Sequence, residues 1–168
     1  MSVAEHKATS PNAGAPCFIL TVSDSRTLDT ETSGKAIAEL LTGAGHTVVD
    51  RQISKDEPNE VRRILENEVR RMRARILITT GGTGVTSRDS TYEALVGMFD
   101  KRLDGFGELF RMLSYQEIGS AAMMSRATAG ISGGCAIFLL PGSEAGVRLA
   151  MTQLIIPELG HLLRELNR

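Results

Sequence analysis

Apolar positions along the chain follow two patterns. Short continuous runs with a β-branched bias, Cys17 to Val22, Ile76 to Thr80 and Cys135 to Leu140, predict strands buried on both faces, and His46 to Arg51 predicts another. Between them apolar residues recur at helical spacing. One helix is expected from Gly34 to Leu41, opened by Thr32 or Ser33 and closed at Gly43 and Gly45. Ile53 to Glu57 reads as a loop before Pro58, which suits a first helical turn; Val61, Ile64, Leu65, Val69 and Met72 then form a stripe opposite Arg62, Arg63, Glu66, Asn67 and Arg70. Further helices are expected from Thr91 to Phe99, capped by Ser90, and from Gly107 to Ile118, followed by a helical turn over Ala121 to Arg126. Ala127 to Ile131 and Cys135 to Leu140 flank Ser132-Gly133-Gly134, the pattern of a hairpin. Ala145 to Leu166 is amphipathic, and Pro157 is expected to break or kink it after Ile156.

Repeated strand–helix alternation with near-continuous apolar strands implies α/β architecture: a three-layer, doubly wound, mostly parallel sheet with helices on both faces and one late β-hairpin that adds an antiparallel strand at or near an edge. Residues 1–16, polar and carrying two prolines, read as a flexible N-terminal tail without the apolar stretch of a signal peptide, and residues 17–168 as a single domain.

Charge narrows the partners. The 168 residues carry 19 basic and 20 acidic side chains, net −1, which gives no global attraction for nucleic acid. No apolar run approaches the ~20 residues that span a bilayer. Cys17 and Cys135 both sit in strand-like runs, as buried hydrophobes of a cytoplasmic protein do, and His6, His46 and His161 have no metal-ligand spacing.

In doubly wound sheets ligands bind beyond the carboxyl ends of the strands. Each distinctive loop lies there: Ser23-Asp24-Ser25-Arg26, Asp56, Thr80 to Thr91, and Pro141-Gly142-Ser143. Thr80-Gly81-Gly82-Thr83-Gly84 lets backbone N–H groups approach an anion, although a tight turn without a ligand has the same composition; it is neither a Walker loop nor the dinucleotide fingerprint. Arg88 before a helix start suits a phosphate. Asp89 beside it would repel one unless a cation mediates, and Mg²⁺ held by one or two carboxylates plus substrate phosphates is the usual solution, with Asp56 as second carboxylate. The plain alternatives make Asp89 a helix cap and Asp56 a solvated loop residue. Pro141-Gly142-Ser143 is a second anion seat or a simple strand-to-helix connection capped by Ser143, and Ser125-Arg126 a donor pair or a surface loop.

Taken together, Thr79-Thr80-Gly81-Gly82-Thr83-Gly84, Ser87-Arg88-Asp89-Ser90-Thr91, Thr21-Val22-Ser23-Asp24, Gly105-Phe106-Gly107-Glu108, Ser125-Arg126-Ala127 and Pro141-Gly142-Ser143 closely resemble the MogA/MoaB family of molybdenum cofactor biosynthesis, shared with plant Cnx and gephyrin G domains. The resemblance runs from Phe18 to the terminal helix. It implies a molybdopterin-binding fold and, in active members, Mg²⁺-dependent transfer of AMP from ATP to the terminal phosphate of molybdopterin. The family's two important aspartates fall on Asp56 and Asp89, which would hold the Mg²⁺, and its pterin-side serine on Ser125. Thr80, the glycine loop, Arg88 and Arg126 are expected on the molybdopterin and phosphate side, and Ser23, Asp24, Pro141, Gly142 and Ser143 on the nucleotide side. The Gly105 to Gly119 segment is closer to the MoaB branch, some of whose members lack the aspartates and bind molybdopterin without adenylylating it. Retention of both carboxylates here favours an active enzyme over a non-catalytic molybdopterin carrier. The resemblance also implies a homo-oligomer, trimer or dimer of trimers, and a molybdate-insertion enzyme as a further partner.

Overall fold

The chain alternates strand and helix for most of its length. The structure, a computed structural model, describes residues 14–168. In chain order it contains β1 (Pro16–Val22), α1 (Ser33–Gly43), β2 (Thr47–Ser54), α2 (Pro58–Arg71), β3 (Ile76–Thr80) and α3 (Thr91–Val96). There follow β4 (Lys101–Arg102), α4 (Asp104–Ile118), a 3-10 segment (Gly119–Met124), β5 (Thr128–Ser132), β6 (Cys135–Leu140), α5 (Glu144–Ala150), a π turn (Met151–Ile155) and α6 (Ile156–Leu166). The six strands form one sheet in the order β2-β1-β3-β6-β5-β4. β2, β1, β3 and β6 run parallel, and β5 and β4 complete the sheet in antiparallel pairs.

Side-chain alternation divides the core into two layers. Cys17, Ile19, Ile76, Ile78, Ala136 and Phe138 face one way, under α1, α4, α5 and α6. Phe18, Leu20, Leu77, Cys135, Ile137 and Leu139 face the other, under α2 and α3. A strand so buried on both faces has no polar side, which is why its sequence reads as an unbroken apolar run. Both cysteines are buried free thiols, and burial pushes Cys17 up to about 12.

Several boundaries differ from the sequence reading. β2 extends to Ser54, since its ladder with β1 continues to the Val22–Ser54 pair; the expected loop therefore starts two residues later than Ile53. β1 opens at Pro16, inside the expected tail, with Ala15 buried before it, while residues 1–13 of that tail lie outside the described residues. β4 was not foreseen: Lys101 and Arg102 are exposed charges on a two-residue edge strand, a form that discourages edge-to-edge pairing and carries no apolar signal. Pro157 does not end the terminal helix. It sits in the first turn of α6, and the chain takes the π turn immediately before it, which gives room to a residue that lacks an N–H and crowds the preceding turn. The β5–β6 hairpin turns on Gly133 and Gly134, as expected.

Candidate functional site

β1 pairs with β2 on one side and β3 on the other, so successive crossovers leave it in opposite directions and open a crevice at the strands' carboxyl ends. Two backbone bonds close the floor of that crevice: Ser23 N–H donates to the Ser54 carbonyl at 2.9 Å, and Gly81 N–H to the Leu140 carbonyl at 3.1 Å. The loops of Ser23, Asp56, Gly81 and Pro141 leave from this line, and Ser125 and Arg126 precede the start of β5, which pairs beside the end of β6. The Thr80 hydroxyl is spent inside it, donating to the Pro141 carbonyl at 2.7 Å, and Ser33 Oγ donates to the Gly142 carbonyl at 2.7 Å.

Gly82 turns the chain with φ +67°. A methyl group on it would lie 2.7 Å from Asp56 Oδ2 and 2.7 Å from Thr91 Cβ, and closer still to the Thr91 hydroxyl. The glycine turn is thus packed on Asp56 and on the start of α3. Asp56 is 7% exposed, not the solvated loop residue of the plain reading. Its Oδ1 accepts from Ser90 Oγ at 2.8 Å, Thr91 Oγ1 at 3.2 Å and, at 3.4 Å, Ser90 N–H. These bonds do for α3 what a cap does, because Ser90 makes no side-chain cap bond of its own. All three donors fall on one oxygen, leaving Oδ2 toward the Gly82 turn.

Asp24 ties the neighbouring loops to this aspartate. Its Oδ1 accepts from Asp56 N–H at 3.1 Å, and its Oδ2 from Arg88 Nη2 at 2.9 Å. The Arg88 hydrogen bond is the main reason its carboxyl lies below the usual range, with the Asp56 N–H next. Arg88 reaches Glu57 as well, at 3.5 Å; both pairs are exposed and screened by water.

Asp89 is not the helix cap of the plain reading. Its Oδ2 accepts from the Thr86 N–H at 3.0 Å and from the Thr86 hydroxyl, closing a local turn. The Thr86 hydroxyl leads the causes that hold its carboxyl below the usual range, so it is ionised near neutrality. Its side chain lies beside Gly84, where a methyl group would stand 2.8 Å from Cγ.

On the other side of the glycine loop a cavity of about 260 Å³ is bordered by Thr83, Gly84, Ser125, Pro141 and Ser143. Its remaining walls were not foreseen: Phe110, Ser114 and Ile118 from α4, Met124, and Leu149 from α5. Neither Asp56 nor Asp89 is among its lining residues. Ser143 Oγ accepts from Gly146 N–H at 3.3 Å and so caps α5 as well as lining the cavity. The structure therefore gathers Thr83, Gly84, Ser125, Pro141 and Ser143 on one side of the loop, and Asp24, Asp56 and Arg88 on the other. Arg126 lies under the loop between them, its donors on the carbonyls of Thr83, Gly84 and Asp89.

Among the described residues no three His, Cys, Asp or Glu side chains cluster as a metal site. Among the same residues no helix is long and apolar enough to cross a membrane.

A mostly parallel sheet with its switch point between β1 and β3, a glycine turn over a buried aspartate and an adjoining cavity define a ligand-binding protein of the doubly wound α/β class. The family described as "Probable molybdopterin binding domain" matches residues 18–161. The molybdenum cofactor biosynthesis protein B of Halalkalibacterium halodurans is 50% identical over 167 residues, 99% of this chain and 98% of its own. A crystal structure of a molybdenum cofactor biosynthesis protein B superposes with a TM-score of 0.91 at 46% identity, covering 94% of this chain and 99% of that one. The tungsten cofactor synthesizing protein MoaB from Pyrococcus furiosus gives a TM-score of 0.83 at 36% identity, over 93% and 99%. The chain belongs to this family, the MoaB/MogA group of molybdenum cofactor biosynthesis proteins.

Proposed function

We propose that the protein acts in molybdenum cofactor biosynthesis as an adenylyltransferase, moving AMP from ATP to the terminal phosphate of molybdopterin with release of pyrophosphate. The observation that carries the reading is Asp56: a buried carboxylate at the switch point, fixed through one oxygen and presenting the other to the glycine turn. In the reaction an oxygen of the molybdopterin phosphate attacks the α-phosphorus of ATP; a new P–O bond forms, the bond to the β-phosphate oxygen breaks, and the electron pair leaves with pyrophosphate. The nucleophile is ionised at neutral pH, so no histidine base is required, and catalysis reduces to alignment and charge neutralisation.

The pterin takes the cavity beside Ser125, with its phosphate toward the N–H groups of Gly82 to Gly84. The nucleotide takes the side of Ser23, Asp24 and Arg88, and Arg88 exchanges its exposed carboxylate partners for phosphate. Asp56 and Asp89 would hold Mg²⁺, which when bound neutralises phosphate charge. The same reading carries with it a cytoplasmic homo-oligomer, trimer or dimer of trimers, that passes its product to a molybdate-insertion enzyme. Exposed Leu109, Met112, Tyr115 and Ile118 on α4 support an associating surface.

The test supplies molybdopterin, ATP and Mg²⁺ and follows adenylylated pterin and pyrophosphate. Both products are expected, with transfer lost and pterin binding retained in Asp89→Ala. Absence of both, where an active adenylyltransferase turns over, refutes the reading. Pterin binding without turnover would instead select a non-catalytic molybdopterin carrier, the reading favoured by a cavity that neither aspartate lines.

A further inference from the structure

Arg126 follows Ser125 just after the 3-10 segment, and its guanidinium passes beneath the glycine loop. Nε donates to the Thr83 carbonyl at 3.1 Å; Nη2 donates to the Gly84 carbonyl at 2.6 Å and the Asp89 carbonyl at 3.2 Å. Nη1 pairs with the Glu93 carboxylate on α3, and the guanidinium carbon lies 4.9 Å from the centre of the Tyr92 ring. Four of the five N–H donors of an arginine are therefore spent on the protein itself. The backbone on which Arg126 sits is gripped in turn from α4, where Arg111 Nη1 donates to the Ala127 carbonyl at 3.0 Å and the Ser125 carbonyl at 3.4 Å.

The segment from Thr83 to Asp89 has little else to hold it. Residues 85–88 are exposed, and the bonds between Thr86 and Asp89 are internal to the turn. Among the described residues, the other polar side-chain links from this segment to the rest of the chain are those of Arg88 to Asp24 and Glu57, in water. Arg126 alone joins both ends of the segment to the body of the domain.

We propose that Arg126 is a positioning residue for the transfer reaction: it sets the shape of the Thr83–Asp89 segment, and with it the placement of Asp89 and of the N–H groups along the loop, in place of touching the phosphate directly. A lysine cannot replace it, because a single ammonium on a flexible stem neither spans three carbonyls nor lies flat on the Tyr92 ring. The kinetic part of this proposal rests on the adenylyltransferase reading; the structural part does not.

The experiment is amide hydrogen exchange on the ligand-free chain and on Arg126→Lys and Arg126→Ala, together with pterin affinity and the transfer assay. Exchange over residues 83–90 is expected to quicken by about tenfold or more in both variants, as local opening becomes easier, while β1 and α6 stay as in the parent chain. Pterin affinity falls together with the quickened exchange, since the same loop N–H groups are displaced, while kcat falls and KM for Mg·ATP rises. Unchanged exchange over residues 83–90 in both variants overturns the proposal. So does a tenfold loss of pterin affinity with exchange unchanged, the signature of a direct phosphate contact. Should Arg126→Ala fail to fold, Glu93→Gln, which removes only the ionic partner, must show a smaller change in the same direction. If the parent chain turns nothing over, the adenylyltransferase reading falls while the exchange result still decides the role of Arg126.

Discussion

Replacing Gly82 by alanine tests whether the glycine turn is built around Asp56. Two costs add. The residue holds φ +67°, a region that costs an L-residue about 1–2 kcal/mol. The new methyl group also enters a filled space, 2.7 Å from both Asp56 Oδ2 and Thr91 Cβ, where Thr91 is wholly buried and Asp56 nearly so. Overpacking of that kind costs about 1–3 kcal/mol. The sum is about 2–4 kcal/mol after partial relaxation, which for a domain of this size lowers Tm by roughly 4–16 °C. Gly43→Ala is the control, since that glycine lies in α1 with no atom within 4 Å of an added methyl group. It should be neutral or stabilising by about 0.5–1 kcal/mol. Urea midpoints with unchanged slopes give both values. A double-mutant cycle with Thr91→Ala then isolates the shortest contact: removing Thr91 Oγ1 relieves that part of the clash and leaves the backbone strain and the contacts with Asp56 Oδ2 and Cβ of residue 91, so a favourable coupling above about 0.5 kcal/mol is expected. If Gly82→Ala matches Gly43→Ala, or the cycle closes with no coupling, the glycine turn is not packed as described.

Two other consequences are cheaper to check. Asp89 has its carboxyl held below the usual range, first by the Thr86 hydroxyl, so its contribution is fully present above the unfolded aspartate value of about 3.9 and is lost as pH falls through the lower folded value. Exchange over residues 83–90 should therefore be independent of Asp89 titration from pH 5 to 9, and Thr86→Ala should move the acid loosening to higher pH. Met72 ends α2 in the left-handed region with φ 53° and is the single non-glycine residue there among the described residues. Met72→Gly should raise the urea midpoint by the equivalent of about 0.5–1 kcal/mol, an unchanged or lower midpoint counting against strain at this position.

The fold was legible where burial leaves a continuous trace. β3 was predicted from Ile76 to Thr80 and lies there, because every side chain in it is buried, the Thr79 and Thr80 hydroxyls being satisfied by the Phe138 and Pro141 carbonyls. The glycine turn was legible for a related reason: adjacent glycines in a chain otherwise built for strands and helices mark backbone that side chains cannot follow. The surroundings of Asp56 were not legible. Its partners Ser90 and Thr91 stand 34 and 35 positions away, and only the parallel placement of β2 and β3 on either side of β1 brings the three together. The same distance hides the cavity, whose far wall comes from Phe110 and Ser114, residues that on α4 alone read as ordinary core spacing. Arg126 shows the limit of residue type as a guide. An arginine beside a glycine loop suggests phosphate, and only coordinates reveal that its donors are already taken by carbonyls.

These contacts give the two aspartates different structural weight, and that changes how their variants must be read. α3 is six residues long, too short to persist without tertiary support, and its opening polar groups are satisfied by Asp56 Oδ1. Asp56→Ala therefore leaves Ser90 and Thr91 without their acceptor and should cost about 1–3 kcal/mol of stability, whatever it does to transfer. Asp56→Asn keeps an oxygen for those donors while removing the charge, and should cost less than half as much. Asp89→Ala breaks a half-exposed turn and should cost under about 1 kcal/mol. A loss of transfer in Asp56→Ala thus mixes a disturbed α3 with a missing carboxylate, whereas the same loss in Asp56→Asn at near-parent stability isolates the charge. Equal destabilisation by Asp56→Ala and Asp89→Ala in urea would mean that Asp56 does not hold the start of α3, and that both aspartates serve the ligand alone.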